Sequence, residues 1–84
     1  MVILNNVILG KKVVGAKQTL KVVKTGMAQE VYVAMDADVR ITRSVIDACK
    51  LFDVEVIYID SMKKLGNMVS IDVGAAIACV LKVC

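Results

Sequence analysis

The chain is 84 residues long, 58% apolar and only 4% aromatic, with a formal charge of +3 and neither proline nor histidine. That length holds one domain at most, its aliphatic composition excludes a disordered chain, and the missing histidine removes the commonest general base and a common metal ligand. The longest apolar run, Val73 to Leu81, is broken by Gly74 and falls far short of the ~20 residues of a spanning helix; Met1 to Leu4 lacks the basic flank of a signal peptide, so a cytoplasmic protein with no membrane association is expected.

Lys12-Val13-Val14 predicts a short strand that ends at Gly15. Ala16, Leu20, Val23 and then Met27 recur at helical spacing, which predicts a helix from Ala16 to Thr25 with Gly26 as its left-handed stop. The opposite stripe carries Lys17, Gln18, Lys21 and Lys24. A helix N-terminus bears a partial positive charge that favours Asp or Glu in the first turn. Here that turn holds Lys17, and Gly15 as N-cap brings no side-chain oxygen to the free N–H groups. Such an end is either a solvated, slightly unfavourable helix start or an anion site. Charge is also distributed unevenly: Lys11, Lys12, Lys17, Lys21 and Lys24 precede the first carboxylate, whereas six basic and eight acidic residues lie from Glu30 onward. A block of lysines is a solvated face or the footprint of a polyanion site.

Glu30 to Met35 predicts a buried strand, after which Asp36 and Asp38 sit where helix caps and solvated loops favour aspartate. Ile41, Val45, Ala48, Cys49 and Phe52 mark the inner face of a second helix, and Glu55 to Ile59 predicts another strand. Asp60-Ser61 caps a short helix through Leu65, which Gly66 or Asn67 ends, and Val73 to Val80 predicts a last strand. Strands alternating with helices indicate an α/β domain. The loop before the last strand is unusually apolar: Ile71 and Val73 either tuck under the domain as core or face a partner. Cys49, Cys79 and Cys84 are an odd set without CxxC spacing, which argues against a disulfide framework or a zinc site, and neither metal nor cofactor is expected.

Three segments in order, GKKVVGAKQTLKVVKTG, EVYVAMDAD and SMKKLGNMVSIDVGAA, resemble the ribosomal proteins L7Ae and L30e and their small bacterial relatives. The similarity extends from about Gly10 to Leu81. It implies a single domain over residues 1–84, folded as a three-layer α/β/α sandwich around a small mixed sheet of about four strands. It also implies binding to kink-turn RNA, an internal loop with sheared G·A pairs and a sharp bend. The family's first motif falls on Gly15, Lys17, Gln18 and Lys21, which would turn N–H groups, amide and ammonium groups to phosphates and base edges. Lys12 and Lys24 extend that basic face. The apolar loop maps to Ile71, Asp72 and Val73, which in the family pack on unstacked nucleotides. Archaeal members carry Asn-Glu in place of Lys17-Gln18, many members have proline in place of Val39, and the implied N-terminal helix is short in this chain.

The expected function is therefore non-enzymatic recognition of structured RNA, a kink-turn in ribosomal RNA or a riboswitch, by a monomer with a ribosomal or ribonucleoprotein role. A rival reading is a protein-interaction module on the same scaffold, with Ile71 and Val73 meeting another protein. An enzyme ranks third, since Asp36, Asp38 and lysines are the only acid-base candidates.

Overall fold

A computed structural model describes residues 3–4, 7–8, 11–71 and 73–82. β1 (Ile3–Leu4) and β2 (Val7–Ile8) pair antiparallel, with Leu4 opposite Val7. They stand where the resemblance implies a short helix. Ile3, Val7 and Ile8 are β-branched, which favours strand. Three strand-helix pairs follow: β3 (Lys12–Val14) with α1 (Ala16–Lys24), β4 (Ala28–Ala34) with α2 (Val39–Leu51), and β5 (Glu55–Ile59) with α3 (Met62–Met68). β6 (Ile77–Leu81) enters the sheet last. Its order is β3-β6-β4-β5, with β4 and β5 parallel and β6 antiparallel to both its neighbours. This is the small mixed sheet of the expected α/β/α sandwich.

Successive strand residues point to opposite faces, and the core divides accordingly. Val31, Val33, Ile77 and Cys79 join Val23 of α1 and Val45, Ala48 and Cys49 of α2 on one side. Tyr32, Ala34, Ala78 and Val80 join Leu65 and Met68 of α3 on the other. A register shift between Ala28 and Glu30 inserts Gln29 as a bulge, which returns Ala28 to the α1/α2 side. The helices are turned slightly from the expected faces. Thr19 and Thr42 are buried, whereas Met27, Ile41 and Phe52 are exposed. Thr42, Val45 and Cys49 form the inner stripe at i, i+3 and i+7, so a threonine methyl occupies the place that hydropathy assigns to isoleucine.

All three helices end by turning back on themselves. After α1, Met27 N–H donates to Val22 O and Gly26 N–H to Val23 O, both at 3.1 Å, with Gly26 at φ 77°. After α2, Val54 N–H donates to Cys49 O at 2.8 Å, with Asp53 at φ 57°. After α3, Ile71 N–H donates to Gly66 O at 3.0 Å and Ser70 N–H to Asn67 O at 3.1 Å, with Ser70 at φ 62°. Neither Gly66 nor Asn67 stops α3, as the sequence suggests; both lie inside it. Gly66 is there for close approach, because a Cβ at that position would overlap the Val73 carbonyl. The last strand also begins later than Val73: Ala75 N–H donates to Met62 O at 3.0 Å, so the chain is tied to α3 before it reaches the sheet at Ile77.

Leu65 is fully buried and Leu51 is 80% exposed. Leu65→Ala should therefore cost about 2 to 5 kcal/mol in denaturant unfolding, and Leu51→Ala should stay within about 0.5 kcal/mol of the parent.

The core is also sensitive to alkali. Burial pushes the Cys79 thiol up to about 12, helped by Cys49 and Glu30, and burial raises Cys49 as well. Burial, followed by the nearby Glu30 and Glu55 carboxylates, raises the Tyr32 hydroxyl. Each group is held neutral in the fold and ionises more readily once unfolded. Their contribution is therefore intact below the ordinary thiol range near ~8.5 and falls as pH rises toward the folded-state values. The unfolding midpoint should drop between about pH 8.5 and pH 11, and iodoacetamide should reach Cys49 and Cys79 at least about 100-fold more slowly than a peptide thiol, through opening of the core.

Candidate functional site

β3 and β4 both run antiparallel to β6, and β5 runs parallel to β4, so three strands end on the same side of the sheet. Each of the three is followed by a helix. The N-termini of α1, α2 and α3 consequently converge on one pole, where open α/β sheets generally place their ligands. Hydrogen bonds knit the pole together: Gly15 N–H to Ile77 O and Ala34 N–H to Ala76 O at 2.9 Å, and Met35 N–H to Ile59 O at 2.7 Å. None of the three helices has an acidic residue in its first turn.

The three helix starts differ in how they are capped. At α2, Arg40 N–H donates to Asp38 Oδ1 at 2.9 Å, and the Arg40 guanidinium closes on the same carboxylate at 2.7 Å, which holds Asp38 below the usual carboxylate range. At α3, Lys64 N–H donates to Ser61 Oγ at 3.1 Å and Met62 N–H to Asp36 Oδ1 at 2.7 Å. Asp36 and Asp38 thus serve as caps. At α1, Gly15 offers no side chain, and its φ of 109° and ψ of 150° suit glycine. A Cβ there would meet nothing within 4 Å, so the backbone angle and not crowding favours glycine. The first amides of α1 receive no acceptor from an N-cap side chain.

Lys17, Gln18 and Lys21 are exposed around this start. Lys24 continues the stripe, seven residues beyond Lys17, which is ~10 Å along the axis at the helical rise. Lys12 is half-buried in edge strand β3, opposite Val80. The loop after α3 reaches the same pole and divides between the two readings of its apolar residues. Ile71 is half-buried and packs on the α3-side core, whereas Val73 is 71% exposed. Asp72 lies outside the described residues.

Other parts of the pole escape the sequence reading. The predicted strand through Met35 stops at Ala34, and Met35 and Val39 are each 66% exposed. They border a groove of about 250 Å³ that Thr42, Ile46 and Tyr58 also line. Arg43 and Lys63 add exposed positive charge near the first turns of α2 and α3. The signal for this extension is the lack of acidic residues in the first turn of each helix, but recognising it requires the parallel strand order that brings the helices together.

Among known proteins, the chain is 48% identical over 68 residues to an RNA-binding protein of Caldanaerobacter subterraneus subsp. tengcongensis, covering 81% of this chain and 83% of that one. It is also 48% identical over 73 residues to the RNA-binding protein YbxF of Geobacillus stearothermophilus, covering 87% and 89%. A solved Giardia lamblia 15.5kD RNA binding protein superposes with a TM-score of 0.81 at 32% identity over 86% of this chain, which spans 61% of the Giardia chain. The model of the Ribosomal protein L7Ae/L30e/S12e/Gadd45 family matches residues 3–84. By these likenesses and by its fold, the chain belongs to the Ribosomal protein L7Ae/L30e/S12e/Gadd45 family.

Proposed function

We propose that the chain is a non-enzymatic RNA-binding protein that recognises a kink-turn-type internal loop and stabilises its bent form. The observation that carries this reading is the uncapped start of α1, ringed by Lys17, Gln18 and Lys21 and sharing its pole with exposed Val73. Backbone amides and lysines there suit phosphate oxygens. Gln18 offers a donor and an acceptor to a purine edge left open by non-Watson–Crick pairing, whereas lysines only donate. Val73 presents an apolar surface to an unstacked base. Contacts that form only with bent RNA shift its conformational population toward the bend by their differential affinity. The relatives named RNA-binding proteins support an RNA partner. Ribosomal RNA or a riboswitch in the cytoplasm, bound by one copy of the chain in a ribonucleoprotein, is the setting we infer from the family.

The basic stripe of α1 and, apart from it on β3, Lys12 supply the salt-dependent part of binding. Lys12→Ala and Lys24→Ala should each weaken binding to kinked and plain RNA about equally. Each should reduce the slope of log affinity against log salt by roughly 0.7 to 0.9 for one lost phosphate contact. Filter binding across a salt series measures both. An unchanged slope in both variants would move the RNA face elsewhere.

Gln18 carries selectivity and no charge. Gln18→Ala should leave the salt slope intact and lower affinity for kinked RNA alone by about 1 to 3 kcal/mol, the value of a good base-edge contact. Gln18→Glu tests the same assignment from the other side. It should keep or strengthen binding if the position accepts from guanine, and weaken binding to every RNA if the position lies beside phosphate.

A further inference from the structure

Gly66 lies inside α3, buried, in the Lys63-Lys64-Leu65-Gly66 segment. Its Cα faces the chain that crosses back over the helix. A Cβ built on it would overlap the Val73 carbonyl oxygen and lie 3.1 Å from the Val73 carbonyl carbon and 3.2 Å from Gly74 Cα. The crossing segment is held at both ends by the same helix, through Ile71 N–H to Gly66 O and Ala75 N–H to Met62 O, both at 3.0 Å. Ile71 anchors it to the core, and Ser70 at φ 62° makes the turn that starts it back. Between these ties, the backbone of Val73 is in contact with the helix while most of the residue is exposed.

We propose that Gly66 is a positioning residue that sets the height of the Val73 loop above α3, and so the selectivity of the pole for bent RNA. The inference rests on the functional reading above. Helix propensity disfavours glycine at an interior position, and the close approach of the Val73 backbone gives the physical reason for it here. An added methyl cannot be absorbed by a side-chain rotation, because the atoms it meets are backbone. The loop must lift, and Val73 moves with it. The α1 amides and the basic stripe lie on another element and keep their places, so general attraction to RNA persists while discrimination falls.

The test compares the unmodified protein with Gly66→Ala, Val73→Ala, the double variant and Asn67→Ala on a kink-turn RNA and the same duplex without the internal loop. Asn67 is exposed on the same helix and serves as the control. Gly66→Ala should lower the preference for kinked RNA by about tenfold, the scale of one base contact, with the salt slope unchanged. Val73→Ala should add little on top of it, since coupled residues depart from additivity. Asn67→Ala should behave like the parent. Full retention of the preference in Gly66→Ala, or effects of the two substitutions that multiply independently, would overturn the assignment. Should Gly66→Ala not fold, Gly74→Ala decides, because its methyl would press 3.1 Å from Met62 Cβ at the other tie: a smaller loss of the same kind upholds the inference and none rejects it. If the unmodified protein itself does not distinguish the two RNAs, the kink-turn reading fails. Amide exchange at Ile71 and Ala75, whose N–H groups tie the loop to α3, then judges the loop placement: faster exchange in Gly66→Ala upholds it and unchanged exchange rejects it.

Discussion

The antiparallel seat of β6 between β3 and β4 is the constraint on which the molecule depends. It makes β3 and β4 parallel although they are not adjacent, and the β4-β5 pairing extends the same direction to a third strand. Three helices must then start from the side where these strands end and run back over the sheet, two on one face and one on the other. The short tie from Gly15 N–H to Ile77 O fixes α1 against this frame. Without β6 the sheet would lose one of its two central strands and α1 would lose its reference to the loop after α3.

Converging helix N-termini create a pole with a surplus of backbone donors, and the chain treats the three starts unequally. Aspartates and a serine satisfy α2 and α3, one of them reaching across from the loop after β4 to the first amide of α3. That cross-loop bond joins two neighbouring starts into one surface. Only α1 begins at a residue that has no side chain to offer. The starts of α2 and α3 are capped and that of α1 is not, so the basic stripe begins at backbone donors that no N-cap side chain satisfies.

Much of the architecture was legible because local patterns and tertiary packing agree. β5 has the bounds that Glu55 to Ile59 suggest, β3 ends at Gly15, and Gly26 follows the end of α1. The misses arise where packing overrides composition. Gly66 looks like a helix stop because glycine usually marks one, yet its lack of a side chain is used for close approach, while Ser70 adopts the left-handed angle. Ile41 and Phe52 look like core because they are large and apolar, but a rotation of about one residue places Thr42 inward. At the pole, the α1 residues were visible as a motif in one stretch of chain. The placement of Arg43, Lys63, Met35 and Val39 toward the same pole was not, since it follows from strand order, which no local pattern encodes.

The sheet order has a further consequence for how copies of the chain behave together. β3 and β5 are its edges, and an exposed edge is a template for pairing between molecules. β3 presents only three residues, too few for a durable ladder. β5 is longer, but Glu55 is exposed at its start and Asp53 and Asp60 flank it. A second copy that aligned with this edge would bring like charges together. Three of the eight carboxylates of a basic protein, Asp53, Glu55 and Asp60, thus lie where they oppose edge-to-edge pairing of copies.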